Sequence, residues 1–439
     1  MSKVFCILFA LVSTAGIALS QSYTSYRIGS EAGVTTSPEG GICLMGGASE
    51  DDNAMRWFLR RVDGGDVLVL RTSGADGYNS YLYSELGVAV NSVETIVCNN
   101  QEASYEPYLL QKIQEAEGIW FAGGDQWSYV SYWRDTPVGD AIRQAITDRN
   151  IVVGGTSAGM AIQGQCYFSA QNGTVTSAQA LADPYDERIT IDSAKILQND
   201  ILESTVTDTH FDNPDRKGRL VTFLARIVQD FGTPARAIAC DEYTAICIDD
   251  SGIARAYGGH PEYDDLAYFI QSNCELPVQT PEDCSQGSPL TWDLGSRALK
   301  AYIINADSTG EKTFDLNTWQ TGSGGVWEDW SVSDGSLSRQ TGDAITCSLT
   351  ASYNDLTHDG EITIYPNPTT GLVNIDCDQE SLSTSHIFIV NTVGEEFAVP
   401  TAIVGNKIKL DMSHVKGGMY MLAVQGPYGI VVRGKVMKI

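Results

Sequence analysis

Positive charge is the first thing this chain has little of: 28 Lys and Arg stand against 55 Asp and Glu, a formal charge of -27. Such a chain cannot neutralise a phosphate backbone, which argues against nucleic acid as a partner. Histidine is scarcer still, at five in 439 residues, and there is neither a C-x-x-C pair nor a His/Cys cluster. No zinc site is expected, and no other metal or cofactor. Long apolar runs are also missing. The best is Val4 to Val12, too short to span a bilayer and followed by Ser13, Thr14 and Gly16. With Lys3 ahead of it and the small-residue exit Ala18-Leu19-Ser20 behind, it reads as an export signal over residues 1–20, with no stable membrane span in the mature chain.

Ten cysteines include Cys6 in that signal, leaving an odd number. Cys274 and Cys284 share a polar, proline-bearing stretch, so the expectation in an oxidising compartment is a disulfide between them closing a surface loop. Cys43, Cys98, Cys166, Cys240, Cys247, Cys347 and Cys377 lie mostly in apolar runs and read as small buried hydrophobes.

What is there in quantity is alternation. From Gln21 to about Asp250, short apolar strands alternate with amphipathic helices, the pattern of a mostly parallel sheet covered on both faces by helices. From Gly252 the chain turns to short strands among Gly, Ser, Thr and Asp. The expected divisions are 21–251 (α/β), 252–357 (a β-rich extension) and 358–439 (a small β-sandwich). Trp292, Trp319, Trp327 and Trp330 in the extension are expected to supply packing area.

The α/β part is organised around Ile151 to Gly164, where a β-branched run breaks at Gly154-Gly155-Thr156-Ser157-Ala158-Gly159 and resumes with helix formers. A strand, sharp turn and helix would lift the Ser157 hydroxyl out at the carboxyl end of a sheet and aim the Ala158 N–H beside it, a nucleophile elbow. Gly46-Gly47 and Gly123-Gly124 follow other strands and should crowd the same rim, where ligands bind in such sheets.

A serine needs a base. Only His210 and His260 fall within the α/β part or at its border; His358, His386 and His414 lie far downstream. His210 follows the strand-like Leu202 to Thr207, which places it at a strand end, whereas His260 reads as a turn residue. A carboxylate should orient the imidazole, and Asp241 or Glu242, after the strand Ala235 to Ala239, can do so. Strand alternation puts only one of them on the active face.

Together Gly154-Gly155-Thr156-Ser157-Ala158-Gly159, Gly123-Gly124-Asp125-Gln126, Asp208-x-His210-Phe211 with Arg216-x-x-Arg219-Leu220, and Asp241-Glu242-x-Thr244-Ala245 resemble cyanophycinase and the wider S51 serine peptidases. The resemblance spans about Gly41 to Ile248. It implies a fold like the class I glutamine amidotransferases, a nucleophile Ser157, a base His210 and a third member Glu242. It further implies an oxyanion hole from the N–H groups of Gly124 and Ala158, with Gln126, Asp208, Arg216 and Arg219 around a peptide substrate containing aspartyl residues. Thr209 stands where the family has glutamine, and Pro214 where it has its first arginine, which touches the specificity pocket rather than the catalytic groups.

The C-terminal segment, with Tyr365-Pro366-Asn367-Pro368, Val390-Asn391-Thr392-Val393-Gly394, Gly417-Gly418-Met419-Tyr420 and a basic last strand, resembles the sorting domain of the type IX secretion system. That implies partnership with the secretion machinery and passage through periplasm and outer membrane to the surface or beyond. A homodimer is the assembly considered. Two rival readings share the serine motif: an esterase-like hydrolase, in which the acid should precede the histidine in the chain, and a catalytically inactive surface binding protein.

Overall fold

The computed structural model describes residues 21–193, 196–197, 199–347, 363–376, 386–391, 396–404, 407–426 and 429–439; the expected export signal, 1–20, and Cys377 lie outside them. The chain divides into two units, Met1–Leu349 and Thr350–Ile439.

The first unit is built on a ten-stranded sheet. Its parallel block runs in the order Ser92–Cys98, Asp66–Arg71, Gly118–Phe121, Val152–Thr156, Gly41–Met45. The strand Tyr23–Gly29 closes one side antiparallel, and Ala245–Asp249, Ile253–Tyr257, Thr313–Asp315 and Gly322–Ser323 extend the other. Helices cover both faces, as alternating strands and crossovers require. The helix Asp52–Arg61, started by Asp51 accepting from the Asn53 and Ala54 N–H groups, buries Met55, Phe58 and Leu59 on one face. Pro107–Glu115, Gln126–Trp133 and Pro137–Arg149 bury Leu109, Ile113, Tyr129, Trp133 and Ile142 on the other.

A second, six-stranded sheet runs in the order Ser336–Thr341, Gly325–Ser333, Leu299–Asn305, Leu266–Ser272, Arg236–Cys240, Thr205–Asp208. The strands that lead to His210 and to Glu242 belong to this sheet and are parallel neighbours, Ala239 opposite Asp208. The sequence places every motif on one sheet; the molecule instead divides them between two sheets. The Ser157 strand continues through the short helix Ala158–Ala161, whose Met160 carbonyl accepts from the Thr207 hydroxyl at 2.7 Å. Strands from beyond Gly252 extend both sheets, and Trp292, Trp319 and Trp330 are fully buried among them.

The disulfide expectation is corrected: Cys274 bonds Cys347, with Cα atoms 5.6 Å apart, and Cys284 is free and half-buried. The chain returns after the strand Ser336–Thr341 so that Ile345 is buried and the Thr346 N–H donates to Glu275 at 2.9 Å, delivering Cys347 to Cys274 across 73 residues. Cys43, Cys98, Cys166, Cys240 and Cys247 are buried thiols.

In the second unit the described strands form two four-stranded antiparallel sheets. Val373 and Leu410 from one and Ile389, Tyr420 and Val436 from the other meet in a single apolar cluster.

Candidate active site

Ser157 ends the strand Val152–Thr156 with φ 52° and ψ -116°, a left-handed conformation that costs a side-chain-bearing residue about 1–3 kcal/mol. Small neighbours permit the turn: a Cβ on Gly155 would strike the Gly159 backbone, and one on Gly159 the Phe121 carbonyl. The Ser157 N–H donates to the Met45 carbonyl at 3.0 Å, tying the turn to the end of the adjacent strand.

Beyond that end, the Gly46 carbonyl accepts from the His210 N–H at 2.8 Å, so the histidine loop of the second sheet is pinned to the first. His210 itself has φ 47°. Its Nε2 lies 2.9 Å from Ser157 Oγ and its Nδ1 lies 2.6 Å from Glu242 Oε1. Gly47, at φ 120°, leaves the space the imidazole fills, since any side chain there would collide with the ring. The Glu242 carboxyl is held below its ordinary range, first by its hydrogen bond with His210 and further by Asn213.

Asp241, the other carboxylate left open by sequence, turns inward. Its Oδ2 accepts from the Leu266 N–H at 3.2 Å, its Oδ1 has no partner among the described residues, and burial with the nearby Asp212 charge pushes its pKa up to about 7. Between roughly pH 4, the ordinary aspartate value, and about 7 the unfolded chain gives up this proton while the folded one keeps it, so its contribution to stability falls as pH rises through that window. Asp241→Asn is therefore expected to raise the denaturation midpoint at pH 8 relative to wild type. The gain should shrink to nothing near pH 4; a pH-independent difference between the two proteins would refute the assignment.

The residues implied around a substrate divide into two groups. Gly124 lies near Ser157: a Cβ on its neighbour Gly123 would come within 3.6 Å of Ser157 Cβ, while the surroundings of Gly124 itself are the Thr72 and Ser73 hydroxyls. Ala158 opens the short helix, so its N–H has no intrahelical acceptor. The Gln126 amide donates to the Phe168 carbonyl. Arg216 gives its Nη1 to the Thr209 carbonyl at 2.9 Å, while its buried Nε has no partner among the described residues; burial, then the Arg219 charge, holds its pKa down.

Asp208 and Arg219, by contrast, are closed on each other. Arg219 Nε and Nη2 meet the two carboxylate oxygens at 2.9 and 2.5 Å, Nη1 reaches Thr174 Oγ1 at 3.1 Å, and the guanidinium lies against the rings of Phe168 and Phe223. Both side chains are about 5% exposed. The resemblance sets both around a substrate; here each side chain is engaged by the other. His260, read as a turn residue, is half-buried with Nδ1 unpartnered among the described residues.

Sequence reasoning missed Asp212 and Asn213. Asp212 Oδ1 accepts from the Glu242 N–H at 2.9 Å, and Asn213 Nδ2 donates to Glu242 Oε2 at 3.3 Å. Their only signal was position, two and three residues past the histidine.

Comparison with known proteins finds the two resemblances read from the motifs. Residues 76–255 match the model of peptidase family S51, and residues 363–438 match the secretion system C-terminal sorting domain. The cyanophycinase of Synechococcus elongatus is 23% identical over 227 residues, 50% of this chain and 66% of that protein. That of Trichormus variabilis is 25% identical over 177 residues, covering 40% and 53%. The match thus spans about half to two thirds of these relatives. A solved peptidase from an acI-B1 actinobacterium covers 51% of this chain and 88% of its own at 14% identity and a TM-score of 0.39. The sorting domain addresses the chain to the cell surface or outside, and no helix among the described residues is long and apolar enough to cross a membrane.

Proposed function

We propose that the segment 21–251 is a serine peptidase that cuts aspartyl or isoaspartyl peptide bonds through an acyl-enzyme, carried outside the cell by a sorting β-sandwich at 358–439. The observation that carries this reading is the unbroken chain of contacts Ser157 Oγ to His210 Nε2 and His210 Nδ1 to Glu242 Oε1. In it His210 takes the hydroxyl proton as Ser157 attacks the scissile carbonyl, and Glu242 holds the Nδ1–H tautomer and stabilises the imidazolium. The carbonyl oxygen gains charge beside the Ala158 and Gly124 N–H groups. His210 then returns the proton to the leaving amine, and water repeats the sequence on the ester. The turn at Ser157 serves as the nucleophile elbow.

The carboxylate after the histidine supports this reading over the esterase fold, in which the acid comes first. An intact hydrogen-bonded triad is likewise hard to reconcile with a purely binding protein. Substrate choice follows from the pocket. With Pro214 in place of an arginine, five donors are missing, and Arg216, whose buried Nε has no partner among the described residues, is the cation left to meet an aspartyl carboxylate. The secreted enzyme is expected to prefer small aspartyl or isoaspartyl dipeptides to a β-linked aspartyl-arginine polymer. Specificity constants for the polymer, β-aspartyl-arginine, other isoaspartyl dipeptides, α-aspartyl dipeptides and a nitrophenyl ester decide the matter. Fastest turnover of the ester would favour the esterase, and fastest turnover of the polymer would make this a cyanophycinase despite Thr209 and Pro214.

A further inference from the structure

The third member of the triad is fixed by the loop that carries the second. Glu242 follows the strand Arg236–Cys240 and, by the register Ala239 opposite Asp208, stands beside the start of the histidine loop. Its carboxylate is 18% exposed, enough for water to compete for its oxygens. Among the described residues, nothing on its own strand end holds the carboxylate: Thr244 Oγ1 donates only to the Glu242 backbone carbonyl at 3.1 Å, Tyr243 turns away with φ 59°, donating its N–H to the Gly47 carbonyl at 3.0 Å, and Asp241 points inward. The histidine loop adds a second backbone restraint, from residue 212, and the restraint on the carboxylate itself, from residue 213. Asp212 accepts from the Glu242 N–H and fixes the backbone; Asn213 donates to Oε2 and fixes the rotation of the carboxylate, so that Oε1 is left for His210.

The loop is itself rigidly seated. The Phe211 N–H donates to the Cys240 carbonyl at 3.3 Å, the Asn213 N–H to the His210 carbonyl at 3.3 Å, and the Arg216 N–H to the Phe211 carbonyl at 3.1 Å. Phe211 is fully buried, with its ring against Tyr268. A displacement of Glu242 relative to His210 would therefore have to break contacts made by one short, anchored segment.

We propose that Asp212 and Asn213 are positioning residues for hydrolysis: Asn213, through its amide N–H, sets the carboxylate of Glu242 against the imidazole, and Asp212 sets the backbone that bears it. The inference rests on the serine-peptidase reading above. A carboxylate with one oxygen already satisfied loses rotational freedom, so the orientation His210 needs is present before substrate arrives rather than being assembled in the transition state. Both side chains are exposed, so replacing them opens no cavity and leaves the fold intact.

The test uses the full chain and its best dipeptide substrate, comparing wild type with Asn213→Ala, Asn213→Asp, Asp212→Ala, Asp212→Asn and Ser157→Ala. Asn213→Ala is expected to lower kcat about tenfold with KM changed less than about twofold, the size of a lost hydrogen bond to a charged group at a partly wet site. Asn213→Asp has the same shape but cannot donate when ionised and sets a second carboxylate beside Glu242, so it should be the worse of the two, at about a hundredfold. A space-filling role would reverse that order, because the isostere would be the milder change. Asp212→Asn, which keeps an acceptor for the Glu242 N–H, should retain more kcat than Asp212→Ala. Wild-type kcat in Asn213→Ala, or higher kcat in Asn213→Asp than in Asn213→Ala, overturns the inference while an inactive Ser157→Ala leaves the peptidase reading standing. An active Ser157→Ala overturns the reading and the inference with it.

Discussion

Ser157→Ala is expected to lower kcat by on the order of a millionfold, the loss seen when the nucleophile of such a unit is removed. Among the described residues Ser157 Oγ has one partner, His210 Nε2 at 2.9 Å, and that imidazole is 22% exposed, so water can replace the lost hydroxyl. Stability should then stay within about 0.5 kcal/mol of wild type. Ser157→Gly makes a sharper companion. It too lacks the nucleophile, but φ 52° and ψ -116° is a conformation glycine adopts without penalty, so this variant should unfold at higher denaturant than wild type while being equally inactive. The pair separates catalytic loss from structural damage: one variant is neutral, the other is more stable, and both are dead. Turnover near the wild-type rate in either would remove Ser157 from the mechanism. Equal stability of the two would mean that the turn carries no strain.

How much of this was readable beforehand depended on the range over which each residue acts. The turn at Ser157 is local, made by glycines within four positions of it, and its glycine pattern announces it. Gly46-Gly47 was recognisable as a rim feature for the same reason, although only the structure shows that Gly47 leaves room for the imidazole. The choice between Asp241 and Glu242 was reducible to one by alternation, and the geometry places Glu242 against His210 with Asp241 facing the Leu266 backbone.

Relations across elements were not legible. Nothing in the chain says that the strand Thr205–Asp208 joins a different sheet from Val152–Thr156, because each is a run of only four or five residues followed by a helix. The pairing of Cys274 with Cys347 depends on a return of the chain after several strands, and proximity in sequence favoured Cys284 instead. Asp212 and Asn213 look like ordinary loop residues until the strand bearing Glu242 is laid beside them.

Asp208 and Arg219 pair with each other where the resemblance implies substrate contacts, and that pairing yields the largest expected effect on stability. Asp208 ends a buried strand and Arg219 lies in the first turn of the helix Lys217–Phe231, so the two meet as the chain folds back through the histidine loop. Asp208 receives two N–H groups from the guanidinium and a third from Thr209 at 2.8 Å. With both side chains about 5% exposed, removal of one partner leaves a buried charge without compensation, and such losses run to about 3–5 kcal/mol. Arg219→Met keeps the length of the side chain and its contact with Phe168 and Phe223 but strands the carboxylate. Its unfolding free energy is expected to fall by about that amount in urea titration. Adding Asp208→Asn should recover part of the loss, since the uncompensated charge is then gone, so the double variant is more stable than Arg219→Met alone. Hydrolysis should weaken as well, because Asp208 leads directly into Thr209 and His210 and any relaxation of the strand end moves the proposed base. If Arg219→Met instead unfolds at the wild-type midpoint and only KM for aspartyl peptides rises, the pair opens in solution and Arg219 is a substrate-binding group after all.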